Sequence, residues 1–232
     1  MVGSLVEQQG TARAKQRLDP ESIVAAGLQI AAKPGTTTVT VRELGTLLGV
    51  DPTAIYRHFR NKEDLMGALL DRLFSMGLDR VTAPREQWRT RLTQMASAMV
   101  DLFTEFPAIG AESILINAQG PAELDTIEFI LDALNVAGLE GQDAVRHYAS
   151  LSTYVLSVGA GIARAQSSRN GTANDEQQSS WLGRSLPVTA ASHPYINAVR
   201  DQLLGLSDRE VFFLGVDALL DAAEASAMPR SR

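Results

Sequence analysis

The chain has 232 residues, of which 45% are hydrophobic and 21% charged, and this length allows one large globular domain or a small one joined to a larger one. Its net charge of −6 excludes a uniformly basic protein, and the absence of cysteine excludes disulfides, thiolate zinc sites and cysteine nucleophiles. We expect a cytoplasmic protein, because a cysteine-free chain is compatible with a reducing cytosol and no signal-peptide pattern opens the sequence. The longest apolar run, 151–163, is too short and too rich in small polar residues to span a bilayer.

The charge is distributed unevenly along the chain. Residues 1–62 hold eight basic and five acidic residues, a balance of +3, and the rest holds thirteen basic and twenty-two acidic residues, a balance of −9. A basic head on an acidic body suits contact between the head and a polyanion such as nucleic acid. Chance scatter within an acidic protein is the alternative interpretation.

The N-terminal region divides into an arm and a helix. Residues 1–17 are polar, lack apolar periodicity and end in a basic cluster, so we predict a flexible basic arm. Such an arm contacts phosphates or the minor groove of DNA. The alternative is a poorly ordered chain terminus without a binding role. The first helix is predicted to begin at Asp19-Pro20, a capping residue followed by a proline at the first helical position. Lys33-Pro34-Gly35 ends it.

The next segment predicts two short helices joined by a tight turn. Thr40-Val41-Arg42-Glu43 is a capping box that begins the second helix, and Gly49 supplies the sharp turn at its end. Asp51 and Pro52 then begin the third helix as its cap and first residue. The predicted apolar face of the second helix consists of Val41, Leu44, Leu47 and Leu48.

Helical spacing separates two faces of the third helix. Ile55 and Phe59 are four residues apart and are predicted to face the core. The opposite face carries polar side chains, namely Thr53, Tyr56, Arg57 and Arg60. This is the layout of a helix-turn-helix, whose second helix enters the major groove of DNA.

The remaining chain is predicted to be helical with one long loop. A fourth helix, capped by Asn61, extends to about Arg80. Residues 166–191 are polar and of low complexity, which predicts a long flexible loop. The further helices are predicted at 85–105, 107–116, 121–138, 141–166, 192–204 and 207–226.

The stretch from Leu18 to Phe74 resembles the DNA-binding domain of the tetracycline-repressor (TetR) family. The C-terminal part is similar, over fewer features, to the TetR type of regulatory domain. The features that carry this second similarity are the Pro107 region, Gly120-Pro121, Ala137-Gly138-Leu139 and the segment from Phe212 to Leu220. The positions that carry the first are Thr40, Arg42, Leu44, Gly49-Val50, Ile55-Tyr56, His58-Phe59, Asn61-Lys62 and Leu65.

The resemblance implies an all-α fold in two domains. A three-helix helix-turn-helix domain would occupy residues 18–64, and a larger all-helical ligand-binding and dimerisation domain would occupy residues 65–232. It also implies a homodimeric transcriptional repressor that leaves its operator DNA when a small-molecule effector binds the C-terminal domain.

Eight residues are expected to contact double-stranded DNA. Arg42 matches a family position that reaches a guanine edge, and its alternative is a solvated arginine. Arg57 contacts either a base or a phosphate, and the sequence does not distinguish between these two roles. His58 either reaches a phosphate or is a half-buried structural histidine. The full set is Thr40, Arg42, Thr53, Ala54, Tyr56, Arg57, His58 and Lys62.

The chemistry expected of the other residues in this set differs from one to the next. Thr53 can bond a base or pack on a thymine methyl, whereas Ala54 offers only apolar contact or none. Tyr56 is expected to bond a phosphate through its hydroxyl. Lys62, at a helix N-terminus, is expected to bind phosphate with the help of the helix dipole. Thr40 offers its hydroxyl and amide to a phosphate, although capping alone explains it.

Two further sets of residues are assigned to an effector pocket and a dimer interface. The pocket would lie between the central helices, and its members could equally be plain core: Met95, Met99, Phe103, Asn117, His147, Tyr148 and Leu151. The interface is implied for the helices near 141–166 and 207–226. Its candidate residues form two stripes that could instead belong to the monomer core: Ser150, Tyr154, Ser157 and Gly161, then Phe212, Gly215, Val216 and Leu219.

No catalytic or metal-binding pattern is recognisable in the sequence. There is no glycine-rich phosphate loop, GxSxG or HExxH motif, and three histidines without cysteine give no ligand spacing. We therefore expect no enzyme activity, metal or cofactor. Two alternatives remain: a regulator of the same fold that activates transcription or ignores ligands, and an all-helical enzyme or protein-interaction module.

Overall fold

The computed structural model describes residues 18–33, 35–116, 118, 120–168 and 186–228. The predicted arm at 1–17, most of the predicted loop at 166–191 and the predicted pocket residue Asn117 lie outside these residues. The described residues form helices and connecting turns, without a strand. The α-helices are α1 (Pro20–Ala31), α2 (Val41–Leu48), α3 (Lys62–Asp79), α4 (Trp88–Glu105), α5 (Pro107–Gly110), α6 (Pro121–Val136), α7 (Gly141–Ser168), α8 (Pro194–Ala198), α9 (Arg200–Gly205) and α10 (Asp208–Ala227).

Two short 3-10 helices complete the described architecture. One, Pro52–Arg57, follows α2 and is called the recognition helix below, and the other is Ser113–Leu115. Together, α1, α2 and the recognition helix form the head, and α4 to α10 form the body. The all-α fold predicted from the sequence is confirmed.

The helix starts follow from local capping chemistry. The Asp19 carboxylate accepts a hydrogen bond from the Ser22 amide at 2.7 Å, and the Ser22 hydroxyl donates to the Asp19 carbonyl at 2.8 Å. The Thr40 capping box is present as predicted, and Val39 and Leu44 beside it are both fully buried. Asn61 caps α3 by accepting the Asp64 amide at 2.7 Å.

The structure corrects several sequence predictions. The recognition helix is 3-10 rather than α-helical and ends at Arg57, so Phe59 and Arg60 lie beyond it. Phe59 is buried as predicted, whereas Arg60, predicted on the polar face of the helix, lies 3.7 Å from the Asp64 carboxylate. Leu47, assigned to the apolar face of α2, is 45% exposed. The helix predicted at 141–166 continues to Ser168 and enters the range predicted as loop.

Two predicted helices are divided into shorter pieces. The one predicted at 107–116 is α5 followed by the second 3-10 helix. The one predicted at 192–204 is α8 and α9, which have no buried residue among them. An isolated helix of that length is marginal without an apolar face packed on the rest of the protein, and the short pieces are consistent with this.

Helix α3 joins the head to the body. Its inward side chains, which include Leu65, Leu69 and Leu73, belong to one buried cluster with side chains of α1, α2, α4 and α5. At 1.5 Å per residue, its 18 residues span about 27 Å. A second cluster fills the space between α4, α6, α7 and α10. Movement of α3 would therefore disturb packing in both head and body. No described helix is both long and apolar enough to cross a membrane.

Candidate nucleic-acid interface and effector cavity

The turn between α2 and the recognition helix depends on two glycines. Gly49 has a φ of 67°, in the left-handed region that side chains with a Cβ avoid. A Cβ at Gly45 would lie 2.9 Å from the Val50 carbonyl oxygen and 3.1 Å from Pro52. Gly49 is predicted from its place in the turn, whereas Gly45 is not, because its role arises from close approach of two segments rather than from a turn motif.

Asp51 fixes the start of the recognition helix. Its carboxylate accepts hydrogen bonds from the Thr53 amide at 2.8 Å and the Thr53 hydroxyl at 2.5 Å. These bonds lower the pKa of Asp51 below its ordinary value of 3.8, first through the hydroxyl and then through the amide. A lowered pKa in the folded state means that this contribution to stability is present at neutral pH. It is lost only as the pH falls through the folded-state pKa.

The hydrogen bond to Asp51 also restricts what Thr53 can do. Its hydroxyl proton is committed to the carboxylate, so the oxygen is left as an acceptor. Adenine and cytosine present amino donors in the major groove. Thr53 in this rotamer is therefore suited to accept from a base amino group or to pack its methyl on thymine.

The recognition helix exposes the side chains of its polar faces. In a 3-10 helix, residues three apart eclipse one another, so Thr53 aligns with Tyr56 and Ala54 with Arg57. Thr53 and Arg57 are exposed, Tyr56 is 46% exposed and Ala54 is half-buried. Ile55 is fully buried and anchors the helix to the core. His58, which follows the helix, is exposed and not the half-buried histidine that the sequence left as an alternative.

Arginines of the head and the body differ in how they are paired. In the body, Arg85 meets Asp132 and Arg89 meets Asp221, each at 2.6 Å. Among the described residues, the exposed guanidiniums of Arg42 and Arg57 form no hydrogen bond or ion pair within 4 Å. Unpaired guanidiniums keep all their donors available for an external acceptor.

Thr40 and Lys62 have partners within the chain. The Thr40 hydroxyl donates to the Glu43 carboxylate at 2.7 Å, and the Thr40 amide donates to the same oxygen at 3.3 Å. Both donors of Thr40 are thus engaged in capping, and a phosphate would have to displace Glu43 to receive them. The Lys62 ammonium, exposed at the start of α3, donates to the Thr38 hydroxyl at 2.8 Å and has two further donors.

The body contains a cavity of about 80 Å³ between α3, α4, α6 and α7, called the effector cavity below. Four of the residues predicted for the pocket line it: Met95, Met99, Tyr148 and Leu151. The α3 and α6 walls are not predictable from the sequence, because no periodicity distinguishes a lining side chain from core. The missed lining residues are Phe74, Leu92, Ala96, Glu123, Thr126, Ile127, Ile130, Ser152, Val155 and Leu156.

Two residues predicted for this pocket lie elsewhere. Phe103 is 1% exposed and packs against α5 and α7, where a Cβ at Gly110 or Gly159 would press on it. The His147 Nε2 lies 3.1 Å from the Ser226 Oγ, at the contact between α7 and α10. The prediction that they line the pocket depends on their residue type and their helix, but their side chains pack against other helices.

Helix α3 lines the cavity through Phe74 and is also hydrogen-bonded to the α6 wall. The Asp71 carboxylate on α3 accepts the Glu123 amide in the first turn of α6 at 2.8 Å. Gly120, the residue before α6, has no side chain to cap the helix, and a Cβ at this position would overlap the Asp71 carboxylate. The cap of α6 is therefore supplied by the helix that carries the head.

The outer surface of α7 and α10 forms a shallow groove, called the α7–α10 groove, in which four of the seven lining residues are small. Its lining is Ala149, Ser150, Thr153, Tyr154, Ser157, Val158 and Leu219. Ser150 and Gly161 are exposed, as an interface would need. Two of the residues predicted there, Phe212 and Val216, are fully buried inside the single chain, so they have no surface to offer a partner.

Tyr154 and Gly215 explain why α7 and α10 pack so closely. The Tyr154 hydroxyl donates towards the Val211 and Phe212 carbonyls, at 3.1 and 3.2 Å. A Cβ at Gly215 would overlap this hydroxyl. Burial raises the pKa of Tyr154, so its hydroxyl stays protonated and remains a donor at neutral pH. Gly215 is needed inside the monomer whether or not it reaches a partner.

The head therefore has the architecture of a helix-turn-helix DNA-binding domain, mounted on an all-helical body with an internal cavity. Residues 23–69 match the family model of bacterial regulatory proteins of the tetR family, and residues 82–225 match the tetracyclin repressor-like C-terminal domain. The chain belongs to the TetR family, and it is a DNA-binding transcriptional regulator.

Curated relatives agree with this assignment, and a solved structure shares the fold. The HTH-type transcriptional repressor Rv1353c of Mycobacterium tuberculosis is 27% identical over 91% of this chain and 82% of its own length. The class A tetracycline repressor of Escherichia coli is 28% identical over 60% of this chain and 65% of its own. ActR of Streptomyces coelicolor, solved with actinorhodin, superposes with a TM-score of 0.73 over 92% of this chain and all of ActR, at 21% identity.

Proposed function

We propose that this regulator is a homodimeric repressor that leaves its operator when a small molecule occupies the effector cavity. The observation that carries the proposal is the contact of Asp71 with α6, because it joins the helix that bears the head to a wall of the cavity. Two of the relatives are named as repressors, which supports repression rather than activation. A protein that acts on chromosomal DNA in a bacterium works in the cytoplasm.

The main proposed DNA contacts are made by two arginines that form no ion pair with the described residues. Arg57 on the recognition helix and Arg42 on α2 are exposed and supply guanidinium forks that match guanine edges and phosphates. Tyr56 and Lys62 are suited to bind phosphates and so to fix the position of the head on the duplex. The proposed surface also includes Thr53, Ala54 and His58. Thr40 belongs to it as the residue that caps α2.

Two heads are needed to read successive major grooves, whose half-sites lie about 34 Å apart or a multiple of that distance. The α7–α10 groove suits the dimer contact, because its small side chains allow helices of two chains to approach closely. Ser150, Tyr154, Ser157, Gly161, Gly215 and Leu219 remain our proposed interface.

Replacing Ser150 with arginine should break this dimer. A long charged side chain in the groove would hold the second chain away and would bury an unpaired charge if it stayed. We expect Ser150→Arg to sediment as a monomer and to lose most of its affinity for a two-half-site operator. Thr104→Arg, at an exposed position of α4, is the control and should remain dimeric. A dimeric Ser150→Arg would contradict the proposed interface.

The effector cavity suits an apolar ligand, although it must enlarge to admit one. Its volume of about 80 Å³ is below the roughly 300–1,000 Å³ of typical ligand sites. Met95 and Met99 are flexible and line the wall, so they can move at low cost. Enlargement would displace α6, and the displacement would reach α3 through Asp71. The release of DNA follows if the two heads then no longer match adjacent grooves.

The proposal is tested by selecting duplexes from a random library with the purified protein and titrating the selected sequence. We expect a palindromic site and an affinity that falls steeply with salt, as phosphate contacts require. A reporter strain with and without the gene then separates repression from activation. Failure to select any duplex in dilute buffer, or higher reporter expression with the gene present, would contradict the proposal.

A further inference from the structure

Two hydroxyl groups on the wall of the effector cavity have no partner among the described residues. Thr126 lies on α6 and is 7% exposed, and its Oγ1 is shielded from solvent without a hydrogen bond. Ser152 lies on α7, and its Oγ is also shielded and without a partner. Both side chains line the cavity.

Hydroxyls in helices usually avoid this situation by bonding to the backbone one turn earlier. Thr93 does so with the Arg89 carbonyl at 2.9 Å, and Ser226 does so with the Ala222 carbonyl at 2.8 Å. Thr126 makes no such bond. A buried polar group without a hydrogen bond is unfavourable, so a ligand group that reaches Thr126 as the cavity enlarges would satisfy its donor and acceptor.

Apart from Glu123 and Tyr148, the rest of the cavity wall is apolar. The space is surrounded by Leu92, Met95, Met99, Ile127 and Leu156. Against these side chains, the binding free energy becomes more favourable in proportion to the apolar area that the ligand buries. A ligand with no polar group would leave both hydroxyls unpaired. A strongly polar ligand would lose its hydration against the apolar wall.

We propose that the effector is a mainly apolar compound with oxygen-bearing groups that pair with Thr126 and Ser152. This inference rests on the proposed function, because it takes the cavity to be the effector site, and it adds the chemical class of the ligand. Since the two hydroxyls come from α6 and α7, a ligand that pairs with both joins these helices across the cavity.

The test compares 2,6-naphthalenediol with naphthalene, which share a ring system and differ in two hydroxyls. Their binding to the purified full-length protein is followed by their own fluorescence, and the ratio of the two affinities is the quantity of interest. We expect Thr126→Val and Ser152→Ala each to lower the preference for the diol about tenfold, the effect of one hydrogen bond to a buried partner, while naphthalene binds as before. Thr93→Val, whose hydroxyl lies outside the cavity, should leave the ratio unchanged.

Thermal unfolding supplies a second measurement that does not need a ligand. Thr126→Val keeps the volume and removes the unpaired hydroxyl, so we expect Tm to rise by about 2–4 °C. Thr93→Val removes a bonded hydroxyl and should not raise Tm. A fall in Tm for Thr126→Val would mean that its hydroxyl is already satisfied in the free protein, and would overturn the proposal.

The binding outcomes separate this inference from the proposed function. A diol preference that both substitutions leave unchanged, or no binding of either compound, would overturn the ligand class. DNA affinity is measured separately, so the ligand class can fail while operator binding and its regulation stand. Conversely, the protein could show a diol preference that depends on both hydroxyls and yet select no DNA duplex. That result would support the proposed ligand class and contradict the proposed regulatory function.

Discussion

Replacing Arg57 with alanine is expected to weaken operator binding by about 1–3 kcal/mol while leaving the oligomeric state unchanged. The guanidinium is exposed on the recognition helix and forms no hydrogen bond or ion pair with the described residues. Its charge contributes only the smallest part of the lowering of the Asp51 pKa, so its removal costs the fold little. The measurement is a gel-shift or fluorescence titration of the selected duplex. Unchanged affinity would contradict the assignment of this helix.

The same variant decides between the two roles left open for Arg57. If Arg57 reads a base, affinity falls for the operator and much less for unrelated duplex, so specificity is relaxed at one position. If it binds a phosphate, affinity falls uniformly and the slope of log affinity against log salt decreases by about 1. Arg146→Ala is a matched control, since it removes an exposed arginine whose ion pair with Asp143 lies on α7. It should change neither quantity.

Replacing Gly120 with alanine is expected to destabilise the protein by about 1–3 kcal/mol, the usual cost of overpacking. The new methyl group would overlap the Asp71 carboxylate and push α6 away from α3. Asp71→Ala alone should cost about 1 kcal/mol, since it removes only the cap. In the double variant the overlap is absent, so the combined loss should be smaller than the two single losses added.

Chemical denaturation of the four proteins measures this cycle. Gly205→Ala is the control, because nothing lies within 4 Å of a Cβ at that position. Additive losses in the double variant would contradict the contact between Asp71 and Gly120.

The same contact should be visible as coupling between DNA and the cavity wall. Coupling between two binding sites is reciprocal, so operator DNA bound at the head should change the hydrogen exchange of the Glu123 amide. In Asp71→Ala this change should disappear, even though DNA still binds. An equal change in both proteins would show that α6 is coupled to the head by another route.

The head illustrates how much local sequence specifies. The Thr40 capping box, the left-handed Gly49 and the Asp51 cap were all predicted, because each depends on residues within four positions of one another. The prediction was wrong about the recognition helix, which is 3-10 and not α-helical. The difference between these two helical geometries over six residues is too small for apolar spacing to decide.

The body illustrates where local pattern stops being informative. Met95 and Met99 reach the effector cavity, whereas Phe103, one turn further along the same helix, packs against glycines of α5 and α7. Phe212 and Val216 were assigned to a dimer surface and are instead core. In each case the residue type and the helix were right, but the neighbour that covers the side chain lies far away in sequence.

By itself the sequence determined the helical class, most helix ends and which residues of the recognition helix are exposed, because capping, turn and periodicity rules act over a few residues. Only the tertiary structure decided which apolar side chains line a cavity, that Asp71 caps a helix 52 residues away, and that two buried hydroxyls remain without partners. Those features depend on how distant helices approach one another, and no short-range rule encodes that approach.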